Sequence, residues 1–135
     1  MDGNDRLRAI IAQGYVAMFL LMMMMTITDL VELGMAGSFS RLLVDPGTEG
    51  LWALAVVACV NVAAQLAAHL VQRPAARWVL FALTAAYTLF FVGHQASHLL
   101  AGEGFEIHSL LDFSHHGAGI VASISAFRLA RSKAA

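Results

Sequence analysis

Residues Trp78–Leu100 read WVLFALTAAYTLFFVGHQASHLL, a run with no carboxylate, lysine, arginine or proline. Its apolar residues follow one another continuously instead of alternating, which is the pattern of a buried or lipid-facing helix rather than a strand. At about 1.5 Å per residue it is long enough to cross a hydrocarbon core about 30 Å thick. Three other stretches meet the same test, Ala9–Val31, Leu51–Val71 and Leu110–Ala130. A transmembrane β-barrel would need about eight or more alternating strands, and none is visible. The sequence therefore predicts an all-α integral membrane protein, one four-helix antiparallel bundle over residues 1–135.

Composition agrees. The 135 residues are 59% hydrophobic and 13% charged, with a mean hydropathy of +0.72, against about 45–50% and 25% in an ordinary soluble domain. Disordered chains pair low hydrophobicity with high net charge, and here the net charge is -1. A chain so neutral is not expected to bind nucleic acid, which needs a basic surface to displace counterions. With Cys59 as the single cysteine, an intrachain disulfide and a cysteine zinc cage are both excluded.

The connections carry turn signals: Asp45-Pro46-Gly47 in the first, Gln72 to Arg77 with Pro74 in the second, Gly102 and Gly104 in the third. Short links imply antiparallel neighbours. Arg6, Arg8, Arg73, Arg77, Arg128, Arg131 and Lys133 fall on one side of such a bundle and only Arg41 on the other. Basic residues are retained on the cytoplasmic side, so both termini are expected there, in a membrane of the bacterial plasma (inner) membrane type. The first apolar run is too long for the h-region of a signal peptide, although Arg6 and Arg8 precede it and Met35-Ala36-Gly37 offers small residues. Neither a lipidation box nor an internal repeat of transporter type is seen.

Ionisable groups in or beside a span are costly and face protein or water. In this topology His94 and His98, then His108, Asp112, His115 and His116, together with Asp29 and Glu32, gather toward the outer leaflet. Counting up from the basic ends puts them at overlapping heights of about 18–30 Å. Helical spacing groups Tyr87, Phe91, His94 and His98 in one stripe, Asp112, His116, Gly119 and Ser123 in a second with His115 on its flank, and Met18, Met22, Met25 and Asp29 in a third. Helix two offers Asn61, Gln65 and Gln72 on one face, with His69 near its inner end.

Histidines at i and i+4 can share one divalent ion, and a carboxylate can complete the shell. His94, His98, Asp112 and His116 are the expected ligands of a transition-metal ion such as zinc, iron or copper, with His115, Asp29 and Glu32 as additional ligands or as acceptors that orient the rings. An Asp112-x-x-His115 pair also allows a two-metal carboxylate site, and methionine sulfur would suit cuprous copper. The alternative cofactor is haem b held by His98 and His115, with Gly117 and Gly119 leaving room for the macrocycle.

The groups His94-Gln95-Ala96-Ser97-His98 and Asp112-Phe113-Ser114-His115-His116 resemble two of the histidine boxes, H-x-x-x-H and H-x-x-H-H, of membrane fatty-acid desaturases and hydroxylases. Asp112 stands where the second box has its first histidine, and there is no third box. The resemblance covers only these two groups and implies a non-haem metal.

Other features have plainer readings. Ser109-Leu110-Leu111-Asp112 has the form of a capping box at the start of helix four. His108 and His69 suit an interfacial position, Met22 to Met25 lipid contact or packing, Asn61 and Gln65 interhelical hydrogen bonds, and Ala118, Ala122 and Ala126 a close-packing seam. Three functions follow as expectations. The first is a membrane metalloenzyme, redox or metal-handling protein, with Asp112 or Glu32 as base if the chemistry is hydrolytic. The second is a haem-binding electron-transfer subunit. The third is a non-catalytic accessory or assembly subunit, working as a homo-oligomer or within a larger membrane complex, where the histidines pack or sense protons.

Overall fold

The computed structural model describes residues 3–35, 48–102 and 107–132, apart from the side chains at positions 33, 48–54, 98, 107 and 108. It contains four helices in the order α1 (Gly3–Met35), α2 (Thr48–Leu70), α3 (Pro74–Leu100) and α4 (Ile107–Arg131), with no strand among the described residues. Each expected span lies within one of these helices, except that α2 stops one residue short, at Leu70. The first connection, with Arg41 and Asp45-Pro46-Gly47, and Gly104 of the third lie outside the described residues.

Local chemistry fixes the ends that can be seen. Pro74 holds the first helical position of α3, where its missing N–H is no loss, and it keeps Arg73 extended at φ -69, ψ 136. Gly102 adopts φ +81 just past α3, and its amide returns to the carbonyl of Leu99 at 3.1 Å. The capping-box expectation is corrected. Because α4 begins at Ile107, Ser109 lies inside its first turn instead of preceding the helix.

The helices pack in the cyclic order α2, α1, α4, α3, with the most extensive interface between α1 and α4 and the thinnest between α2 and α3. The shortest connection thus joins the pair that touches least, because α2 turns Ala64, Ala67 and Ala68 into the core cluster that holds Ile11, Tyr15 and Leu80. The α1–α4 interface is close because both helices are small there. A Cβ built on Gly14 would lie 2.9 Å from the Ala122 Cβ and 3.4 Å from the Ala118 carbonyl oxygen. Ala122 and Ala126 are buried below it, so the expected alanine seam is present, and Gly14 is its partner.

Beside its hydrophobic core cluster the bundle buries polar side chains and exposes large apolar ones. Asn61, Thr84, Thr88, Gln95, Ser125 and His115 are buried, while Leu20, Ile27, Val56, Leu83 and Phe90 are exposed. Buried hydroxyls and amides pair across helices: Tyr15 donates to Thr84 Oγ1 at 2.8 Å, Thr84 in turn donates to the Leu80 carbonyl at 2.7 Å, and Asn61 Nδ2 donates to Tyr87 Oη at 2.8 Å. Of the methionine run, Met22 points inward and Met24 outward. Two of the helices, over Gly3–Glu32 and Pro74–Ser97, are long and apolar enough to cross a membrane, and Ala55–Leu70 is a shorter apolar helix.

Because the Ala122 methyl leaves no room beside Gly14, Gly14→Val is expected to destabilise the bundle by about 1–3 kcal/mol through overpacking. Gly117→Val, where a Cβ meets nothing within 4 Å, is the control. Melting in detergent should separate the two variants, and equal melting temperatures would contradict the seam.

Candidate functional site

His115 sits where α3 and α4 pack together, eight residues into α4 and beside Tyr87 at the middle of α3. It is 2% exposed. Its ring lies 4.8 Å from Phe91 and 6.3 Å from Tyr87, and 5.7 Å from His116 at an angle of 85°. Tyr87 and Phe91, one turn apart on α3, are themselves 4.8 Å apart, and Tyr15 of α1 adds a fourth aromatic side chain 6.2 Å from Tyr87. Inside this nest the Nε2 atom of His115 is buried and has no hydrogen-bond partner among the described residues.

The turn of α4 that follows accounts for the burial. A Cβ on Gly119 would be 2.8 Å from Thr88 Oγ1 and 3.2 Å from Met18 Sδ, so α4 can lie against α3 and α1 at once only because that position is glycine. Thr88 and Ser123 share a hydrogen bond of 3.1 Å across the same contact. Continuing the helical rows of small residues from Ala126 and Ala122 through Gly119 leads one turn further to His115.

The expected ligands are only partly brought together. His116 is buried next to His115, and Asp112 is half-buried one turn earlier on the same helix. His94 is exposed, since the buried face of α3 runs through Leu80, Thr84, Thr88 and Gln95 and leaves position 94 at its edge. Asp29 and Glu32 are exposed near the end of α1, and His69 is exposed near the end of α2. The side chains of His98 and His108 lie outside those described. Among the described residues, no group of three or more His, Cys, Asp or Glu side chains is placed to hold a metal ion. The sequence reading put His115 on the flank of the α4 stripe, whereas it is the more deeply buried of the adjacent pair.

Of the two glycines expected to leave room for a haem, Gly119 is crowded and Gly117 is open. Thr88 and Met18 occupy the space at Gly119, Gly117 faces open space on the exposed side, and Phe91 lies against the His115 ring on the α3 side. No known protein family, characterised protein or solved structure matches this chain.

A buried polar atom without a partner costs about 1–3 kcal/mol. In chelator-treated protein, His115→Leu, which keeps an apolar side chain against Phe91, is therefore expected to melt at or above the temperature of the parent. A marked drop in detergent would mean that the imidazole already has a structural hydrogen bond.

Proposed function

We propose that this chain is an integral membrane protein that crosses the bilayer four times with both ends in the cytoplasm. Near the outer leaflet it binds a transition-metal ion such as zinc, iron or copper through the histidines at the α3–α4 end, as a metal-handling or redox protein. The large apolar side chains exposed on all four helices support the membrane reading, since soluble monomers rarely expose so much apolar surface. So do the lengths of α2 and α4, which have 23 and 25 residues and reach about 34 and 37 Å. Six arginines of the described residues, Arg6, Arg8, Arg73, Arg77, Arg128 and Arg131, lie at one end of the bundle, and the histidine pair belongs to the other half.

The observation that carries the metal reading is the unpartnered, buried Nε2 of His115, a nitrogen whose lone pair suits a metal ion. His116 and Asp112 of the same helix are its nearest companions in the sequence. On α3, His94 is exposed at the edge of the buried face, so His98 is the ligand proposed from that helix. The aromatic side chains around His115 would shield the ion from water and fix ring orientation.

Elemental and optical analysis of untagged protein purified in detergent tests this. Near-stoichiometric metal is expected in the parent and in His94→Ala, with loss in His115→Ala and His116→Ala. Equal trace metal in all four would overturn the reading and leave the histidines a packing role in an accessory subunit. For the topology, a single cysteine is placed at Gly102→Cys or at Arg73→Cys in a Cys59→Ala background. A membrane-impermeant maleimide applied to intact cells or spheroplasts should label the first and spare the second, and the opposite result would reverse the orientation.

A further inference from the structure

Where α2 and α3 part company near the arginine-rich end, an open groove of about 520 Å³ is lined by Ala67, Leu70, Val71, Gln72, Arg73 and Ala76. We propose that this groove binds an anionic phospholipid of the cytoplasmic leaflet, with an acyl chain along Ala67, Leu70 and Ala76 and the phosphate at Arg73. The proposal rests on the four-span orientation above.

The chemistry of the walls divides in the way a lipid does. Alanine, leucine and valine line most of the groove, and the polar Gln72 and Arg73 sit in the turn at its end. The side toward the bilayer is open because α2 and α3 barely touch. Charge favours an anion. Six arginines of the described residues lie at this end against one described carboxylate, Asp5, and Asp5 is held by Arg8 at 3.0 Å.

Two of those arginines are fixed in the protein at this end, Arg8 against the groove and Arg77 on the α4 side of α3. Arg8 gives a guanidinium hydrogen to the carbonyl of the groove residue Val71 at 3.2 Å. Arg77, next after Ala76 and 3% exposed, donates to Ser132. Both keep a buried Nε–H with no partner among the described residues. The start of α3, which no side chain caps, adds backbone donors at Ala75 and Ala76. A second copy of the chain is a poor occupant, since it would bring like-charged arginine ends together, whereas a phosphodiester with acyl chains satisfies both parts of the groove.

The test uses full-length, delipidated protein in neutral detergent and native mass spectrometry with dioleoylphosphatidylglycerol, dioleoylphosphatidylcholine or glycerol phosphate. Phosphatidylglycerol should be retained about fivefold better than phosphatidylcholine, the contribution of roughly one arginine near an anionic headgroup. Arg73→Gln should abolish that preference, as should Ala67→Trp, which fills the groove. Arg128→Gln removes the same charge from an exposed site on α4 and should leave the preference intact. Equal losses in Arg73→Gln and Arg128→Gln would overturn the site in favour of diffuse attraction. Competition by glycerol phosphate as effective as that of phosphatidylglycerol would overturn the lipid in favour of a soluble anion. Neither outcome bears on the four-span orientation, which the cysteine labelling decides separately.

Discussion

The close approach of α1 to α4 at Gly14 and Ala122 is the contact on which the rest of the bundle depends. Two helices can come this near only where side chains are nearly absent, and the alanines of α4 extend that condition down the interface. With α4 held against α1, its next face must meet α3, and Gly119 makes this fit by admitting Thr88 and Met18 into the space a side chain would fill. His115, one turn from Gly119, is then carried into the contact between helices whatever its own preference. The burial of the histidine is thus a consequence of packing set up elsewhere in α4.

Most polar groups inside this bundle find a partner within the protein, as burial away from water demands. Tyr15, Thr84 and the Leu80 carbonyl form one chain of donors and acceptors, and Asn61 with Tyr87 ties α2 to α3 where little else does. At the arginine-rich end the same demand acts on charge. Arg8 closes over the Val71 carbonyl and Arg77 over Ser132, joining α1 to the α2–α3 turn and α3 to the end of α4. These arginines therefore act as struts between helices.

The helices were legible in the sequence because an unbroken apolar run of about 20 residues can satisfy its backbone in a low-dielectric setting only by coiling on itself. The small-residue seam was legible for a similar reason, since Ala118, Ala122 and Ala126 repeat with the helix. What could not be read was rotation about each helix axis. A stripe drawn from Tyr87 through Phe91 to His94 shares two members with the real contact and then drifts off it, because the buried row continues through Gln95. In a soluble helix the polar face would have shown which way to turn it. Here both faces are apolar, and only a neighbouring helix decides. The order of the helices was hidden for a related reason: a short link between α2 and α3 limits how far apart they can be but does not make their faces complementary.

These two limits meet at His115. Its neighbours Tyr87 and Phe91 are the side chains a purely structural core would place there, and a leucine would pack among them without leaving a nitrogen unpaired. Packing alone therefore gives no reason for an imidazole at this position. Other buried polar side chains of the core differ in this respect. Thr84 and Thr88 each have a partner across the helix contact, and Asn61, although its Oδ1 is unpaired, holds Tyr87 through Nδ2. A buried ring nitrogen that departs from this pattern is best accounted for by something that would use it. His116 beside it and Asp112 one turn away on α4 are the side chains on which the metal proposal rests.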